Sequence, residues 1–293
     1  MTNIKFAFFG SSRFSVIVLG ELERLGLIPC LIITTPDKPK GRKLTITATE
    51  VKKWGLKRKI TVLDPQKLDA DFFVRLSAEV QAKGIETFIV ASYGKIIPEK
   101  IIDLPVHKTL NIHPSLLPKY RGPSPMPSAI LNDEKKSGVT IIRLDKEMDH
   151  GPIIAQEIVE VAEWPTYEEY EELMAKKGAQ LLAKILPEWI DGKMKEVPQI
   201  HEQATFTKKI SKENGLTDLS SDPYLNFRKI QAYHEWPQAY FLFDHKGKNI
   251  RVKITSASFK EGVLIIENVI PEGSKEMSFE DFQKGYGTIE SFR

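Results

Sequence analysis

The chain has 293 residues, of which 41% are hydrophobic and 28% charged, and its formal net charge is +3. This composition is typical of a soluble globular protein and excludes a largely disordered chain. The apolar runs are only long enough for strands, and the first residues lack the features of a secretory signal. We therefore expect a cytoplasmic protein without membrane spans, and the length favours two domains.

Cysteine and histidine usage argues against thiol and metal chemistry. The single cysteine, Cys30, lies in the apolar run LIPCLIITT, which favours a buried core thiol over a nucleophile. One cysteine forms neither an internal disulfide nor a thiolate cluster. The six histidines are scattered without the spacing of a zinc site. We therefore expect no metal site.

Positive charge is concentrated in one segment of the first half. Between residues 37 and 59, nine basic side chains stand against two acidic ones. A net charge of +3 does not by itself mark a nucleic-acid binder, and a basic segment is commonly a solvated surface. The basic residues of this segment are Lys38, Lys40, Arg42, Lys43, Lys52, Lys53, Lys57, Arg58 and Lys59.

In chain order, the first half alternates strand-length apolar runs with helix-length amphipathic segments. This alternation predicts an α/β fold, a Rossmann-like open, mostly parallel sheet with helices on both faces. A helix is predicted directly after the first strand and another near residues 66–82. The predicted strands of this part are IKFAFF, CLIITT, ETFIVAS and TLNIH.

An antiparallel pair and a long helix are predicted next. GVTIIRLD and PIIAQEIVEV alternate apolar and polar residues and are joined through KEMDHG. Thr166 and Glu169 have the spacing of a capping box, which predicts a helix start. We expect this helix to run to about Leu186 and to end at Pro187.

The remaining chain predicts a second, smaller domain. Residues 187–204 have no clear periodicity and contain two prolines, which is typical of a link between domains. A helix near residues 222–233 precedes the short strand candidates QAYFLFD, NIRVKITSA and GVLIIENVI. We predict a first domain at 1–188, a linker at 189–204 and a small β-barrel of the oligonucleotide-binding (OB) type at 205–293.

The end of the predicted strand TLNIH carries the residues best suited to catalysis. Asn111 and His113 are two positions apart, so their side chains project from the same face of an extended strand. An amide N–H and an imidazole form a donor pair suited to a developing oxyanion, and Asp149 is a natural third member. On spacing alone, Asn111 as a turn cap, His113 as an interior histidine and Asp149 as an ordinary hairpin acid remain open.

The motifs around these residues resemble a known enzyme family. NIHPSLLPKYRG followed by SGVTIIRLDKEMDHGPI resembles the signature of the folate-dependent formyltransferases. TTPDKPKGR, ASYGKIIP and ISKENGLTDLS also resemble the members that act on methionyl-tRNA, so the resemblance covers most of the chain. It implies formyl transfer from 10-formyltetrahydrofolate to the amino group of initiator methionyl-tRNA, an early step of protein biosynthesis, with tRNA bound by the second domain.

The resemblance also implies roles for individual residues. Asn111, protonated His113 and Asp149 become the catalytic residues, with Asp149 keeping His113 charged and relaying the amine proton through water. The implied folate-binding residues are Ser92, Tyr93, Gly94, Ile96, Ser115, Leu116, Leu117, Pro118, Leu144 and Asp145. The implied acceptor-binding residues are Gly10, Ser11, Phe14, Arg42 and Lys43.

The acceptor is the least constrained part of this interpretation. Members acting on methionyl-tRNA have a glycine-richer stretch followed by Pro-x-Pro-Val-Lys, where this chain has GRKLTITATEVKK. An amino-sugar-nucleotide N-formyltransferase would share the catalytic residues, and a non-catalytic tRNA-binding module is a further alternative. We expect a monomer that binds initiator methionyl-tRNA and the folate co-substrate and does not bind a membrane.

Overall fold

The structure, a computed structural model, describes residues 4–40 and 45–288. The chain divides into two compact units, and the division does not follow the sequence in a single cut. The first unit contains the chain up to Pro123, Ser137–Glu160 and Glu171–Phe206, and the second contains Ser124–Lys136, Val161–Tyr170 and the chain from Thr207. The segment expected to be a linker therefore folds with the first unit, because its contacts in space lie there.

A seven-stranded sheet forms the centre of the first unit. The strands of the first half are β1 (Phe6–Phe9), β2 (Leu31–Ile33), β3 (Lys38–Lys40), β4 (Thr45–Thr47), β5 (Thr61–Leu63), β6 (Thr87–Val90), β7 (Thr109–His113), β8 (Lys136–Arg143) and β9 (Ile153–Glu160). The order in the large sheet is β5-β2-β1-β6-β7-β8-β9, and β3 pairs separately with β4. All pairs from β5 to β7 are parallel, and β7 pairs antiparallel with β8.

The burial of these strands explains the parallel arrangement. Every residue of β1, β2, β6 and β7 is buried, as expected for parallel strands covered by helices on both faces. The predicted Rossmann-like fold is therefore confirmed. From β1 the chain builds outward to β2 and β5, and then returns to build β6 and β7 on the other side. This reversal places a topological switch point between β1 and β6.

Helices connect the strands, and most begin at a side-chain cap. They are α1 (Arg13–Arg24), α2 (Glu50–Lys57), α3 (Ala70–Lys83), α4 (Glu99–Ile102), α5 (Pro125–Leu131) and α6 (Tyr167–Ile190). The predicted capping box is present, since the Thr166 N–H donates to Glu169 Oε2 over 3.0 Å. The prediction that this helix ends at Pro187 is wrong. Pro187 lacks only its own N–H, and its carbonyl still accepts from the Asp191 N–H over 3.0 Å, so the last turn continues.

An antiparallel sheet and two helices form most of the second unit. Its strands are β10 (Tyr240–His245), β11 (Lys248–Lys260), β12 (Val263–Pro271) and β13 (Met277–Ser278), and its helices are α7 (Pro223–Ala232) and α8 (Phe279–Tyr286). Adjacent strands in the order β10-β11-β12-β13 pair antiparallel. The core includes Ile230, Val252 and Phe282. A C-terminal domain of antiparallel strands is therefore confirmed, and its closure into a barrel of the OB type stays a prediction.

Two segments of the first half are bound into the second unit by polar contacts. The Asp133 carboxylate accepts hydrogen bonds from Trp164 Nε1 over 2.6 Å and from the Tyr224 hydroxyl over 2.9 Å. His234 lies 2.8 Å from the Glu168 carboxylate. α5 packs against α7. The helix that follows the NIHPSLLP loop is thus part of the second unit.

Among the helices in the described ranges, none combines the length and the apolar character needed to cross a membrane.

Candidate active site

The site lies where the carboxyl ends of three neighbouring strands meet. Phe9 at the end of β1 pairs with Val90 at the end of β6, and Val90 pairs with Asn111 in β7. The loops that follow these strands therefore begin side by side at the switch point of the sheet. Open α/β sheets bind their ligands at this position.

Asn111 and His113 are fixed by a strand that is paired on both sides. In β7, Asn111 pairs with Ile142 and His113 pairs with Thr140 of β8. The two residues are 8% and 4% exposed. Within residues 4–40 and 45–288, the Asn111 side chain makes no hydrogen bond, so its amide N–H groups are available to a ligand.

Both ring nitrogens of His113 face acceptors. Nε2 lies 3.0 Å from the Tyr120 carbonyl oxygen, and Nδ1 lies 3.4 Å from Asp149 Oδ1. A carbonyl and a carboxylate can only accept, so this arrangement suits an imidazole that carries a proton on each nitrogen. Donation to a substrate oxygen therefore requires one N–H of His113 to be shared with, or released from, its present acceptor.

Asp149 is held by the loop that follows β7. Its Oδ2 accepts a hydrogen bond from the Gly122 N–H over 2.7 Å, while Oδ1 faces His113. The Asp149 backbone has φ of +51°, a left-handed conformation that few residues other than glycine adopt. The carboxylate is 13% exposed, which leaves it within reach of solvent. It is therefore placed both to balance charge on the imidazole and to exchange a proton with water.

The loop after β7 is pinned by side chains of the neighbouring strands. Thr140 donates its hydroxyl to the Ser115 carbonyl over 2.6 Å and accepts from the Leu117 N–H over 3.1 Å. Gln156 Nε2 donates to the Leu117 carbonyl over 2.9 Å. The Ser115 hydroxyl donates to the Lys119 carbonyl over 2.7 Å, so it closes the loop rather than pointing free.

The predicted folate-binding stretch after β6 forms a tight turn joined to the end of β1. Ser92 and Gly94 have φ of 53° and 78°, and the Ser11 hydroxyl donates to the Tyr93 carbonyl over 2.8 Å. The Tyr93 ring is 2% exposed and meets Phe9 edge to face, with ring centres 5.4 Å apart. Its hydroxyl has no partner in the described part of the chain, and burial raises the pKa of Tyr93. The Ile96 side chain is 81% exposed.

The predicted residues Leu144 and Asp145 begin the turn that carries Asp149. The Leu144 N–H donates to the Thr109 carbonyl over 2.8 Å, which ties the turn to β7. Asp145 Oδ2 lies 2.7 Å from His150 Nδ1. A Cβ at Gly151 would stand 1.9 Å from the Arg143 carbonyl oxygen, so the turn closes only with glycine there.

The predicted acceptor-binding residues are placed unequally. Gly10 lies at the site, and a Cβ there would stand 2.6 Å from the Phe8 ring. Ser11 lies beside it, whereas the Phe14 ring is only 2% exposed within α1. Arg42 and Lys43 lie outside the described residues. The acceptor roles of all these residues stay predictions.

Sequence reasoning missed a buried polar group around the turn. Arg121 and Gln199 are 4% and 5% exposed, and Gln199 Oε1 accepts from Arg121 Nη2 over 2.6 Å. Gln199 Nε2 donates to the Asp149 carbonyl over 2.9 Å. A glutamine in a stretch without periodicity gives no signal for such a distant contact. In residues 4–40 and 45–288, no cluster of three or more His, Cys, Asp or Glu side chains is arranged to hold a metal ion.

The chain is similar to known proteins in sequence and in fold. A family model described as formyl transferase matches residues 4–186. A methionyl-tRNA formyltransferase of Sulfurihydrogenibium sp. (strain YO3AOP1) is 34% identical in an alignment that covers 97% of each chain.

Two solved structures share the fold at low sequence identity. The methionyl-tRNA formyltransferase from Clostridium thermocellum is 16% identical, with a TM-score of 0.60 over 92% of this chain and 98% of that one. A 4-N formyltransferase from Francisella tularensis is 19% identical, with a TM-score of 0.64 over 88% of this chain and 100% of that one. Since the family model covers well over half of the sequence, this chain belongs to the formyl transferase family.

Proposed function

We propose that this chain transfers a formyl group from 10-formyltetrahydrofolate to the amino group of methionine carried by initiator tRNA. The observation that carries the chemistry is the His113 imidazole 3.4 Å from the Asp149 carboxylate, two positions along the same strand from Asn111, whose amide has no partner among the described residues. The acceptor is supported by the similarity to a methionyl-tRNA formyltransferase, which extends over 97% of the chain and so includes the second unit.

In the proposed reaction, the neutral amine attacks the formyl carbon and a tetrahedral oxyanion forms. Asn111, and His113 after its N–H turns from its present acceptor, donate hydrogen bonds to that oxyanion. The intermediate collapses, the bond from carbon to folate N10 breaks, and N10 takes up a proton while the former amine gives one up. Asp149 balances the imidazolium charge and accepts the amine proton through water.

The donor and the acceptor occupy different strand ends in this proposal. The turn at Ser92–Gly94, the pinned loop from Ser115 to Pro118 and the turn from Leu144 to Asp149 would hold the folate. Their backbone groups are fixed by the hydrogen bonds of Thr140, Gln156 and Ser11, which lowers the ordering needed on binding. The amine would enter beside Gly10 and Ser11.

The basic segment of the first unit supports an RNA acceptor. The segment between residues 37 and 59 carries nine basic residues, which include Arg42. These charges would contact phosphates, so binding should weaken as salt rises.

An amino-sugar nucleotide is the second candidate acceptor. The structural similarity to the 4-N formyltransferase from Francisella tularensis, with a TM-score of 0.64, favours it on fold alone. The same catalytic residues would serve both acceptors, because each presents a neutral amine.

The two acceptors are separated by supplying both to the same enzyme. Purified protein is incubated with 10-formyltetrahydrofolate and either charged initiator tRNA or a 4-amino sugar nucleotide, and formylation of each amine is measured. We expect rapid formylation of the methionyl-tRNA alone. Formylation of the sugar alone would overturn the acceptor assignment.

A loop variant tests the RNA contact separately. We expect Arg42→Ala to raise the KM for tRNA about tenfold, roughly the effect of one lost charged contact, and to flatten its salt dependence. Binding of the folate should be unchanged. Lys184→Ala, which removes an exposed charge on α6 outside the basic segment, is the matched control. Equal kinetics for both variants would show that the loop is only a solvated surface.

A further inference from the structure

Gln199 is a buried side chain that contacts the turn from Leu144 to Gly151, which carries Asp149 and is called the catalytic turn below. All of its hydrogen-bonding capacity is used. It is 5% exposed although it lies in the segment that leads towards the second unit. Its Nε2 donates to the carbonyls of Asp149 and Gly151 over 2.9 and 2.7 Å. Its Oε1 accepts from Arg121 Nε over 3.1 Å and from Nη2 over 2.6 Å. An amide offers two donors and two acceptor sites, and all four are engaged.

The contact with Arg121 extends this network to the loop that touches both acid–base residues. Arg121 stands between Tyr120, whose carbonyl faces His113 Nε2, and Gly122, whose N–H donates to Asp149 Oδ2. The Arg121 N–H also donates to the Thr205 carbonyl over 2.8 Å. Gln199 therefore joins the two backbone segments whose relative position sets the distance between imidazole and carboxylate.

The catalytic turn needs such external support. Asp149 has φ of +51°, and a residue other than glycine in the left-handed region persists only where the surroundings hold it. Gly151 is packed against the Arg143 carbonyl, so the turn cannot shift towards β8 without a clash. The two hydrogen bonds from Gln199 reach the carbonyls on both sides of His150 and close the turn from the other direction.

We propose that Gln199 is a positioning residue that fixes the Asp149 carboxylate against His113. This inference rests on the proposed function, because the benefit of the position is defined by formyl transfer. A carboxylate at position 199 would satisfy Arg121 but could not donate to the carbonyls of Asp149 and Gly151. The role therefore requires the amide and not merely a side chain of this size.

The proposal is tested by a double-mutant cycle with Asp149. We expect Gln199→Leu and Gln199→Glu to lower kcat about a hundredfold, the effect of displacing a catalytic group by about 1 Å. The KM for the folate should stay unchanged. In the Asp149→Asn background, the same substitutions should lower kcat by no more than about threefold, because the group they position has lost its function. Gln203→Leu, an exposed glutamine of the same segment, is the control and should leave kcat unchanged.

A second readout does not depend on any acceptor. The amide resonance of Gly122 reports the hydrogen bond to Asp149 in a nitrogen–proton correlation spectrum. We expect Gln199→Glu to shift this resonance in the direction seen for Asp149→Asn, and Gln203→Leu to leave it in place. Failure of wild-type protein to formylate methionyl-tRNA would reject the proposed function while this shift still tests the positioning.

Two results would overturn the proposal. Equal losses of kcat with and without Asp149 would show that Gln199 acts on stability or on another group. An unmoved Gly122 resonance in folded Gln199→Glu would show that the turn holds itself. If Gln199→Leu does not fold, Gln199→Glu, which keeps the Arg121 contact, decides both points.

Discussion

The two halves of the candidate site are held in place by different means. Asn111 and His113 stand on β7, a strand that is hydrogen-bonded on both sides in the interior of the sheet. Asp149 stands on a turn in a left-handed conformation, held by the Gly122 N–H and by Gln199. Strand pairing fixes the proposed oxyanion donors, whereas contacts from distant parts of the chain, a backbone N–H to the carboxylate and a side-chain amide to the turn carbonyls, hold Asp149. Substitutions on β7 and substitutions on the turn should therefore differ in their effects on kcat and on the free energy of unfolding.

A substitution in the strand half, at Asn111, should lower the rate of formyl transfer with little change in the free energy of unfolding. Asn111→Ala removes an amide with no internal partner in the described residues, so we expect kcat to fall about 100- to 1,000-fold, equivalent to about 2.7–4 kcal/mol. The free energy of unfolding should change by less than about 1 kcal/mol. Single-turnover kinetics and urea unfolding measure the two quantities.

The isosteric variant Asn111→Asp separates donation from size. It keeps the shape but presents only acceptors, so its rate should be no higher than that of Asn111→Ala. Wild-type turnover in either purified variant would remove Asn111 from the mechanism.

A substitution in the turn half, at Gly151, should lower both the rate of formyl transfer and the free energy of unfolding. Gly151→Ala places a Cβ 1.9 Å from the Arg143 carbonyl oxygen, so the turn must move and carry Asp149 with it. We expect kcat to fall about a hundredfold and the free energy of unfolding to fall by about 1–3 kcal/mol. Gly20→Ala, where the added Cβ meets nothing within 4 Å, is the matched control. Unchanged kcat in folded Gly151→Ala would mean that the turn need not be rigid.

An ion pair within helix α1, between Glu21 and Arg24, adds a pH-dependent contribution to the free energy of unfolding. Paired hydrogen bonds from Arg24 to Glu21, with a further one from Gln180, lower the pKa of Glu21 to about 2 from 4.5. Because the pKa of Glu21 is lower in the folded state, its carboxylate stabilises the fold at pH values above the unfolded-state pKa of about 4.5. This stabilisation is lost as the pH falls from about 4.5 to about 2. We expect Glu21→Gln to cost about 1 kcal/mol at pH 7, since Arg24 is largely exposed.

The difference between wild type and Glu21→Gln in urea unfolding should then shrink as the pH falls from about 4.5 towards about 2. A difference that grows as the pH falls would contradict this assignment.

The smallest effect is expected for Tyr93, in the turn that follows the neighbouring strand β6. The buried Tyr93 hydroxyl lacks a partner among the described residues, so Tyr93→Phe removes an unsatisfied group and keeps the ring against Phe9. We expect stability to rise by up to about 1 kcal/mol and kcat to stay within about twofold of wild type. A large loss of folate affinity instead would show that the hydroxyl faces the ligand.

The same contrast explains how much could be predicted from the sequence. The strand-like stretch TLNIH predicts a buried strand, which the structure has, and the two-residue spacing from Asn111 to His113 predicts a shared face. Three-residue strands such as β5 and the β3–β4 pair are too short to leave a periodic signal. Helix α6 continues past Pro187 because the Pro187 carbonyl still accepts a hydrogen bond from the Asp191 N–H, which the sequence pattern does not indicate.

Support for the turn could not be predicted because it depends on contacts that are distant in sequence. Gln199 reaches Asp149 across 50 positions, and a polar residue in a segment with no periodicity carries no local pattern. The position of Asp149 in a hairpin and the family resemblance together predict its role, and the structure brings it to 3.4 Å from His113. The catalytic roles of these residues stay predictions until they are measured.

The central claim is that donors from a strand and a carboxylate from a turn act on one formyl carbon. Its most direct measurement is the single-turnover rate of formyl transfer to methionyl-tRNA for Asn111→Ala, Asp149→Asn and the double variant. Groups that act as a unit are not additive, so the double variant should be slower than the worse single variant by no more than about tenfold. A double loss equal to the product of the two single losses would show that Asn111 and Asp149 act independently and would contradict this account.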